Sequence, residues 1–187
     1  MDPILFWNGV ALEANRVSFT SGTNEQPGPA LSSRALTIVH LAMYDAFAAV
    51  SGNPPATLPP YMTGLPSVPS GATAAAATAA AAYTTLVKLY PSQKAFFDLE
   101  LAEAGEILNA GHDFGVSVAN MLLDNRKNDP GVGSQDYFPA TGVGKHKVDP
   151  DNSAQGFYAP FYGTRSPTFS VMKRYDLAAP PIVNNTE

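Results

Sequence analysis

Apolar positions near the start of the chain follow the 3.6-residue period of an α-helix in two consecutive segments. The first segment begins at Asp2-Pro3, a capping acid followed by proline, and its pattern fades near Phe19. The second begins near residues 30–33 and ends at Val50. It is apolar on almost every face, which predicts a central, buried helix. The apolar positions of the first segment are Ile4, Trp7, Ala11 and Ala14.

Three more helices are predicted after a proline-rich connector at residues 53–70. The third helix, residues 71–90, is rich in alanine, the strongest helix former, and its small side chains let neighbouring helices approach closely. Pro91-Ser92 starts the fourth helix, and the fifth starts near Asp113. The predicted inward-facing residues are Phe97, Leu101, Ala104 and Leu108 in the fourth helix, and Phe114, Val118, Met121 and Leu122 in the fifth.

The helical pattern ends at Pro130. Residues 130–187 show neither a helical nor an alternating period, and they are rich in glycine, proline and aromatic residues. So long an irregular segment is unusual within a compact domain, and so many aromatic residues argue against simple disorder. We therefore predict an all-α fold, with a bundle of about five helices at residues 1–129. An extended, aromatic-rich arm at residues 130–187 is predicted to pack on a second half of the protein or on a partner.

The chain has few charged side chains for its size. Its 187 residues can form one domain with a substantial core, yet only 14% of them are charged against 45% apolar. A free-standing soluble domain usually carries about 25% charged residues. The scarcity is greatest at the front, which favours an interior or an interface there. The charged residues among the first 87 are Asp2, Glu13, Arg16, Glu25, Arg34 and Asp45.

Charge and composition exclude several classes of function. The net charge is −5 and basic residues do not cluster, so nucleic acid is not an expected partner. No run of about 18 apolar residues predicts a membrane span. The absence of cysteine excludes disulfides and thiolate chemistry. The start of the chain shows no signal peptide, so we expect a soluble protein whose compartment, export and assembly with copies of itself stay open.

The sharpest candidate for chemistry lies in the second predicted helix, where Arg34, His40 and Asp45 are spaced like an oxyanion site. In such a site arginine binds the anion, histidine attacks it and aspartate orients the histidine. On one straight helix, however, His40 lies about 120° around the axis from Arg34. Asp45 points nearly along the direction of Arg34 but lies about 16 Å further along the helix.

A structural polar network is therefore the preferred interpretation of these residues, because buried polar groups need hydrogen-bond partners. The predicted members, able to bond to one another, are Asn15, Arg16, Arg34, His40, Tyr44 and Asp45. No metal site is expected, since the chain has three histidines and lacks the Glu-x-x-His pairs of dimetal bundles. No catalytic residue is expected in this chain, and the Arg34–His40–Asp45 oxyanion site is kept as the alternative.

The opening of the chain resembles the first helices of the vanadium-dependent haloperoxidase family, helical relatives of the acid phosphatases. Residues 4–8 run into 11–16, and Pro27-Gly28-Pro29 leads into 33–46. Later stretches continue the resemblance in the same order: residues 115–126 resemble a later helix of the same half, and residues 158–163 and 177–181 resemble the stretch that joins the two halves.

The resemblance implies a supporting role for this chain. In that family two helical bundles pack together, and the second holds vanadate, which with hydrogen peroxide oxidises a halide; phosphatase relatives hydrolyse phosphate esters in the same pocket. The motifs of that pocket, Lys-x6-Arg-Pro and Ser-Gly-His, do not occur here. We therefore expect vanadate only in an assembled enzyme, completed by a C-terminal half that is a second chain or a missing segment.

Two other functions are compatible with the same residues. One is an acid phosphatase-like relative whose pocket also lies outside this chain. The other is a non-catalytic helical module that serves oligomer assembly. The expected relation to a complete enzyme is a split, cleaved or truncated chain, and peroxidase cannot be separated from phosphatase, nor bromide from chloride, without the pocket.

Overall fold

The computed structural model describes residues 2–52, 59–105 and 109–129, together with 141–143, 145, 150–151, 167–171 and 178. All regular elements within these residues are helical, which confirms the predicted all-α fold. The elements are α1 (Pro3–Thr20), α2 (Gly28–Ser51), α3 (Ala74–Leu89), a 3-10 turn (Pro91–Gln93), α4 (Lys94–Glu103) and α5 (Ala110–Asn125).

The chain divides into two compact units, residues 1–127 and 128–187. The first unit contains all five helices. Most of the predicted arm, residues 130–187, lies outside the described residues, as does Leu108. The packing of the arm on a second half or partner therefore stays a prediction.

Side-chain caps fix where several helices begin. Asp2 Oδ1 accepts hydrogen bonds from the backbone amides of Ile4 and Leu5 at 2.8 and 3.1 Å, as predicted for the start of α1. α5 starts at Ala110, three residues before the predicted start near Asp113. Its N-cap is Asn109, whose Oδ1 atom accepts a hydrogen bond from the amide of Gly111 at 2.7 Å. Asparagine is as favourable at an N-cap as aspartate, so Asn109 was a sequence signal for the earlier start.

The core lies among α2, α3 and α5, and α1 and α4 pack on it. Trp7 and Ile38 are fully buried, as are Leu86 and Leu122. α2 was predicted to be the central helix, but only eight of its 24 residues are buried. The central position belongs to α3, which has nine of its 16 residues buried and contacts all four other helices, because its small alanine side chains let neighbours approach on several sides. One predicted core residue of α4 is wrong: Ala104 is exposed, because α4 ends at Glu103.

α5 lies against the alanine-rich α3 at the distance of a backbone-to-backbone contact. A Cβ atom added to Gly115 would lie less than 3.0 Å from the carbonyl carbon and oxygen of Ala77. A Cβ atom on Gly111, one turn earlier, would lie 2.7 Å from the carbonyl oxygen of Thr73. Only glycine fits at these two positions, and the small side chains of α3 are what make the approach possible.

The loop between α1 and α2 is tied to the junction of α3 and α4. Gln26 Nε2 donates to the carbonyl of Leu89 at 2.8 Å, and the Glu25 carboxylate accepts from the amide and the hydroxyl of Ser92, each at 2.8 Å. Gln93 Nε2 donates to the carbonyl of Ala14, also at 2.8 Å. These bonds connect segments more than 60 residues apart and hold α1 in place on the bundle.

Candidate functional site: the polar contacts of the second helix

Arg34 lies in the second turn of α2 and reaches the end of α5. Its Nη2 atom donates to the backbone carbonyl of Arg126 at 2.7 Å. The last carbonyls of a helix have no partner within the helix, and a cation there also suits the helix dipole. Arg34 therefore caps α5 from α2.

Arg126 follows the last residue of α5 and is buried. Its side chain is 3% exposed, and its Nη2 atom donates to the hydroxyl of Tyr61. The guanidinium carbon lies 5.9 Å from the centre of the Tyr61 ring. The sequence contained a signal for this burial. Arg126 lies four residues after Leu122 and so continues the series Phe114, Val118 and Leu122, all of which are buried.

Asp45 is fully buried in α2 and holds the connector that leads to α3. Its Oδ1 atom accepts from the amide of Tyr61 at 2.7 Å and its Oδ2 atom from the amide of Met62 at 2.9 Å. Burial raises the pKa of Asp45 and outweighs the two backbone bonds, which act to lower it. A carboxylate occupied by two amides is an anchor for the chain.

His40 faces α1. Its Nε2 atom lies 3.1 Å from Oδ1 of Asn8, so the ring donates to the amide oxygen when that nitrogen carries the proton. Burial lowers the pKa of His40, which favours the neutral ring. This is a helix-to-helix contact between α2 and α1.

The other three members of the predicted network also have described partners outside it. Asn15 Oδ1 accepts from the hydroxyl of Tyr90 at 3.2 Å, and Arg16 forms two bonds to Glu13 at 2.6 and 2.7 Å. The hydroxyl of Tyr44 lies 3.5 Å from the carbonyl of Pro59. The described bonds of the six predicted residues thus lead to different neighbours, and those of Arg34, His40 and Asp45 join α2 to the end of α5, to α1 and to the connector.

Arg34, His40 and Asp45 do not converge on a common point. Their bonds lead to the end of α5, to α1 and to the connector. A bound oxyanion needs several donors aimed at one position, whereas His40 favours its neutral form and Asp45 would repel an anion once ionised. These residues do not fit vanadate or phosphate.

A small cavity of about 80 Å³ lies between α1, α3, α4 and α5, next to Trp7, Leu101 and His112. A larger, open groove of about 490 Å³ lies on the surface between α3 and α5, next to Val87 and Leu123. Ligand pockets usually measure roughly 300–1,000 Å³.

Within the described residues, no group of three or more metal-ligating side chains is assembled. None of the described helices combines the length and apolarity needed to cross a membrane.

Comparison with known families shows to which family the chain belongs. The family model for the vanadium chloroperoxidase N-terminal domain matches residues 1–167. The chain belongs to this family. The resemblance carried by residues 4–16 and 27–46 is thereby confirmed.

Among the relatives of this N-terminal domain is the vanadium chloroperoxidase of Curvularia inaequalis. It is 32% identical over 227 aligned positions, which include 95% of this chain. The match takes up 37% of the length of the Curvularia protein. The chain thus spans little more than a third of that relative.

Proposed function

We propose that this chain is the N-terminal scaffold of a vanadium haloperoxidase-type enzyme, and that the vanadate site of the assembled enzyme is formed by residues outside it. The chemistry supplied there would be oxidation of a halide by hydrogen peroxide. One observation carries the proposal. Arg34, His40 and Asp45 have the sequence spacing of an oxyanion site, but their side chains are bonded to three separate elements of the fold.

The polar residues of α2 have a role consistent with a scaffold. Asp45 anchors the connector, and Arg34 caps α5. Both bonds position backbone, and neither presents a reactive atom to solvent. In this proposal Arg34 and Asp45 maintain the shape of the bundle.

The family assignment supports the peroxidase reading over the phosphatase one. The matching family is described as a chloroperoxidase domain, and the Curvularia relative carries the same name. We therefore propose chloride or bromide as the substrate of the complete enzyme, with vanadate as its cofactor and a C-terminal half as the partner of this chain.

The first experiment is a vanadate titration of the purified 187-residue chain, alone and as the Arg34→Ala and His40→Ala variants. We expect no saturable binding to any of the three. Saturable binding to the wild type that is lost in His40→Ala would place the chemistry in this chain and contradict the scaffold role.

The second experiment uses the native protein purified from its source, with every polypeptide that accompanies the chain. We expect halide oxidation that requires both hydrogen peroxide and vanadate. Hydrolysis of a phosphate ester without such oxidation would favour the acid phosphatase-like alternative. A preparation active in neither assay would favour the non-catalytic assembly module.

A further inference from the structure

The outward face of α1 is apolar and uncovered in the described part of the chain. Leu5, Leu12 and Phe19 are 70%, 51% and 73% exposed. They are spaced seven residues apart, which places them on one side of the helix. The opposite side carries Trp7 and Val10, which are buried in the bundle. Scattered exposed leucines need no explanation, but three large apolar side chains two turns apart on one side of a helix call for one.

The same face has an exposed glycine at its middle. Gly9 lies between Leu5 and Leu12, and a Cβ atom added to it would meet nothing within 4 Å. Glycine in the interior of a helix is destabilising relative to alanine, and the structure of the single chain gives no packing reason for it. A helix that approached this face closely would supply the reason.

Asp2 and Arg16 are symmetrically placed on this face, and Arg16 is also paired with Glu13 on its own helix. Asp2 and Arg16 each lie seven residues from Gly9, about 10 Å along the axis in either direction. Asp2 uses Oδ1 for both of its capping bonds, which leaves Oδ2 available. Arg16 uses Nε and Nη2 for Glu13, which leaves Nη1 available.

We propose that this face, formed by Asp2, Leu5, Gly9, Leu12, Arg16 and Phe19, is an interface with a second copy of the chain. The two α1 helices pack antiparallel about a two-fold axis at Gly9. Each Asp2 then lies opposite the Arg16 of the other copy, and each Leu5 lies opposite residue 13 and about 1.5 Å along the axis from Leu12. The glycines meet at the axis and allow close approach. A face that is complementary to itself in this way is the requirement for an isologous dimer.

The proposal is independent of the function proposed above. Other large exposed side chains do not repeat the pattern; Leu99 on α4 is 71% exposed but has no neighbour of its kind on that helix. Leu99 therefore provides a matched control, because it is an equally exposed leucine on a different face.

The experiment is sedimentation velocity of the full-length chain over a range of concentrations. We expect the wild type to approach twice 19.7 kDa as its concentration rises. Leu12→Glu places a charge at the centre of the interface and should raise the dissociation constant by at least about tenfold. Leu99→Glu should leave it unchanged.

The Gly9→Leu variant distinguishes a close-packed interface from non-specific hydrophobic association. The single chain has room for the new side chain, so circular dichroism should show the same helix content. The variant adds apolar surface, which would strengthen non-specific association, whereas it should abolish a dimer in which the two glycines meet. Loss of the dimer in Gly9→Leu, with its retention in Leu99→Glu, supports the proposal.

Three results would overturn it. The first is a wild type that stays at 19.7 kDa up to its solubility limit. The second is a dimer that survives Leu12→Glu or Gly9→Leu, since the interface would then lie elsewhere. The third is a monomeric chain whose complex with another segment of the complete enzyme is lost in Leu12→Glu, because the face would then belong to that segment.

Discussion

Two glycines of this chain lie within helices and have opposite surroundings. At Gly115 on α5 an added Cβ atom would collide with the backbone of α3, whereas at Gly9 on α1 it would meet nothing within 4 Å. The first glycine is explained by the packing of the bundle. The second has no such explanation within the described residues. The comparison shows that a glycine inside a helix marks a close backbone contact at one position and open space at another.

Replacing Gly115 by alanine should give the largest loss of stability. The added methyl group would overlap the carbonyl of Ala77, and neither backbone can move without separating α5 from α3. Overpacking of a rigid contact costs about 1–3 kcal/mol and can cost more, so we expect about 3 kcal/mol. Urea unfolding followed by circular dichroism measures it. A change below about 1 kcal/mol would show that α3 and α5 are further apart in solution.

Removing the carboxylate of Asp45 should have the next largest effect. Asp45→Ala leaves the amides of Tyr61 and Met62 without their acceptor in a buried place, which costs about 1–3 kcal/mol. Thr37→Ala is a suitable control on the same helix, because the Thr37 hydroxyl bonds only to the carbonyl of Ser33 near the surface. Equal losses in both variants would contradict the role of Asp45 as an anchor.

Asp45 should also give a pH dependence of known sign. Its pKa is raised in the folded chain from the ordinary value of 3.8, because the carboxyl is buried. The folded state therefore binds the proton more tightly, and this contribution to stability is present below pH 3.8 and is lost as the pH rises through the raised pKa. Asp45→Asn should lack this fall; an identical pH profile in both proteins would show that Asp45 titrates normally.

The hydroxyl of Tyr61 should contribute less, because its loss leaves the ring in place. Tyr61→Phe removes the acceptor of the Arg126 bond but keeps the backbone bond to Asp45. One hydrogen bond to a charged group is worth about 1.5–3 kcal/mol, and we expect the lower end since the aromatic ring stays beside the guanidinium. Tyr44→Phe, which removes a hydroxyl that lies 3.5 Å from the carbonyl of Pro59 on the same connector, is the comparison variant. An equal effect in the two variants would argue against the Arg126 contact.

The helices could be predicted from the sequence because each one has a local signal. Trp7, Phe97 and Leu122 mark buried faces by spacing alone, and Asp2 marks a helix start. The family could be recognised from α1 and α2. The partners of Arg34, His40 and Asp45 could not, since each lies on another element, up to 92 residues away, and a helical period gives no information on which faces meet.

Gly115 and Gly9 also show that a helical pattern does not reveal which faces of the helices meet. In the sequence both appear as a glycine among apolar helical positions, with no local feature that marks one for the core and the other for the surface. The distinction depends on which helix lies opposite, and that is set by the packing of α3 against α5 over residues 74–125.

Replacing Gly9 by alanine should have the smallest effect and the opposite sign to the change at Gly115. In dilute solution the methyl group meets no atom, so the gain is that of alanine over glycine in a helix, about 0.5–1 kcal/mol of added stability. At high concentration the gain should shrink, because the same methyl group separates the two helices of the proposed dimer. Thermal unfolding at two concentrations measures both. A gain that is independent of concentration would leave Gly9 an ordinary exposed helix position and remove its part in the dimer.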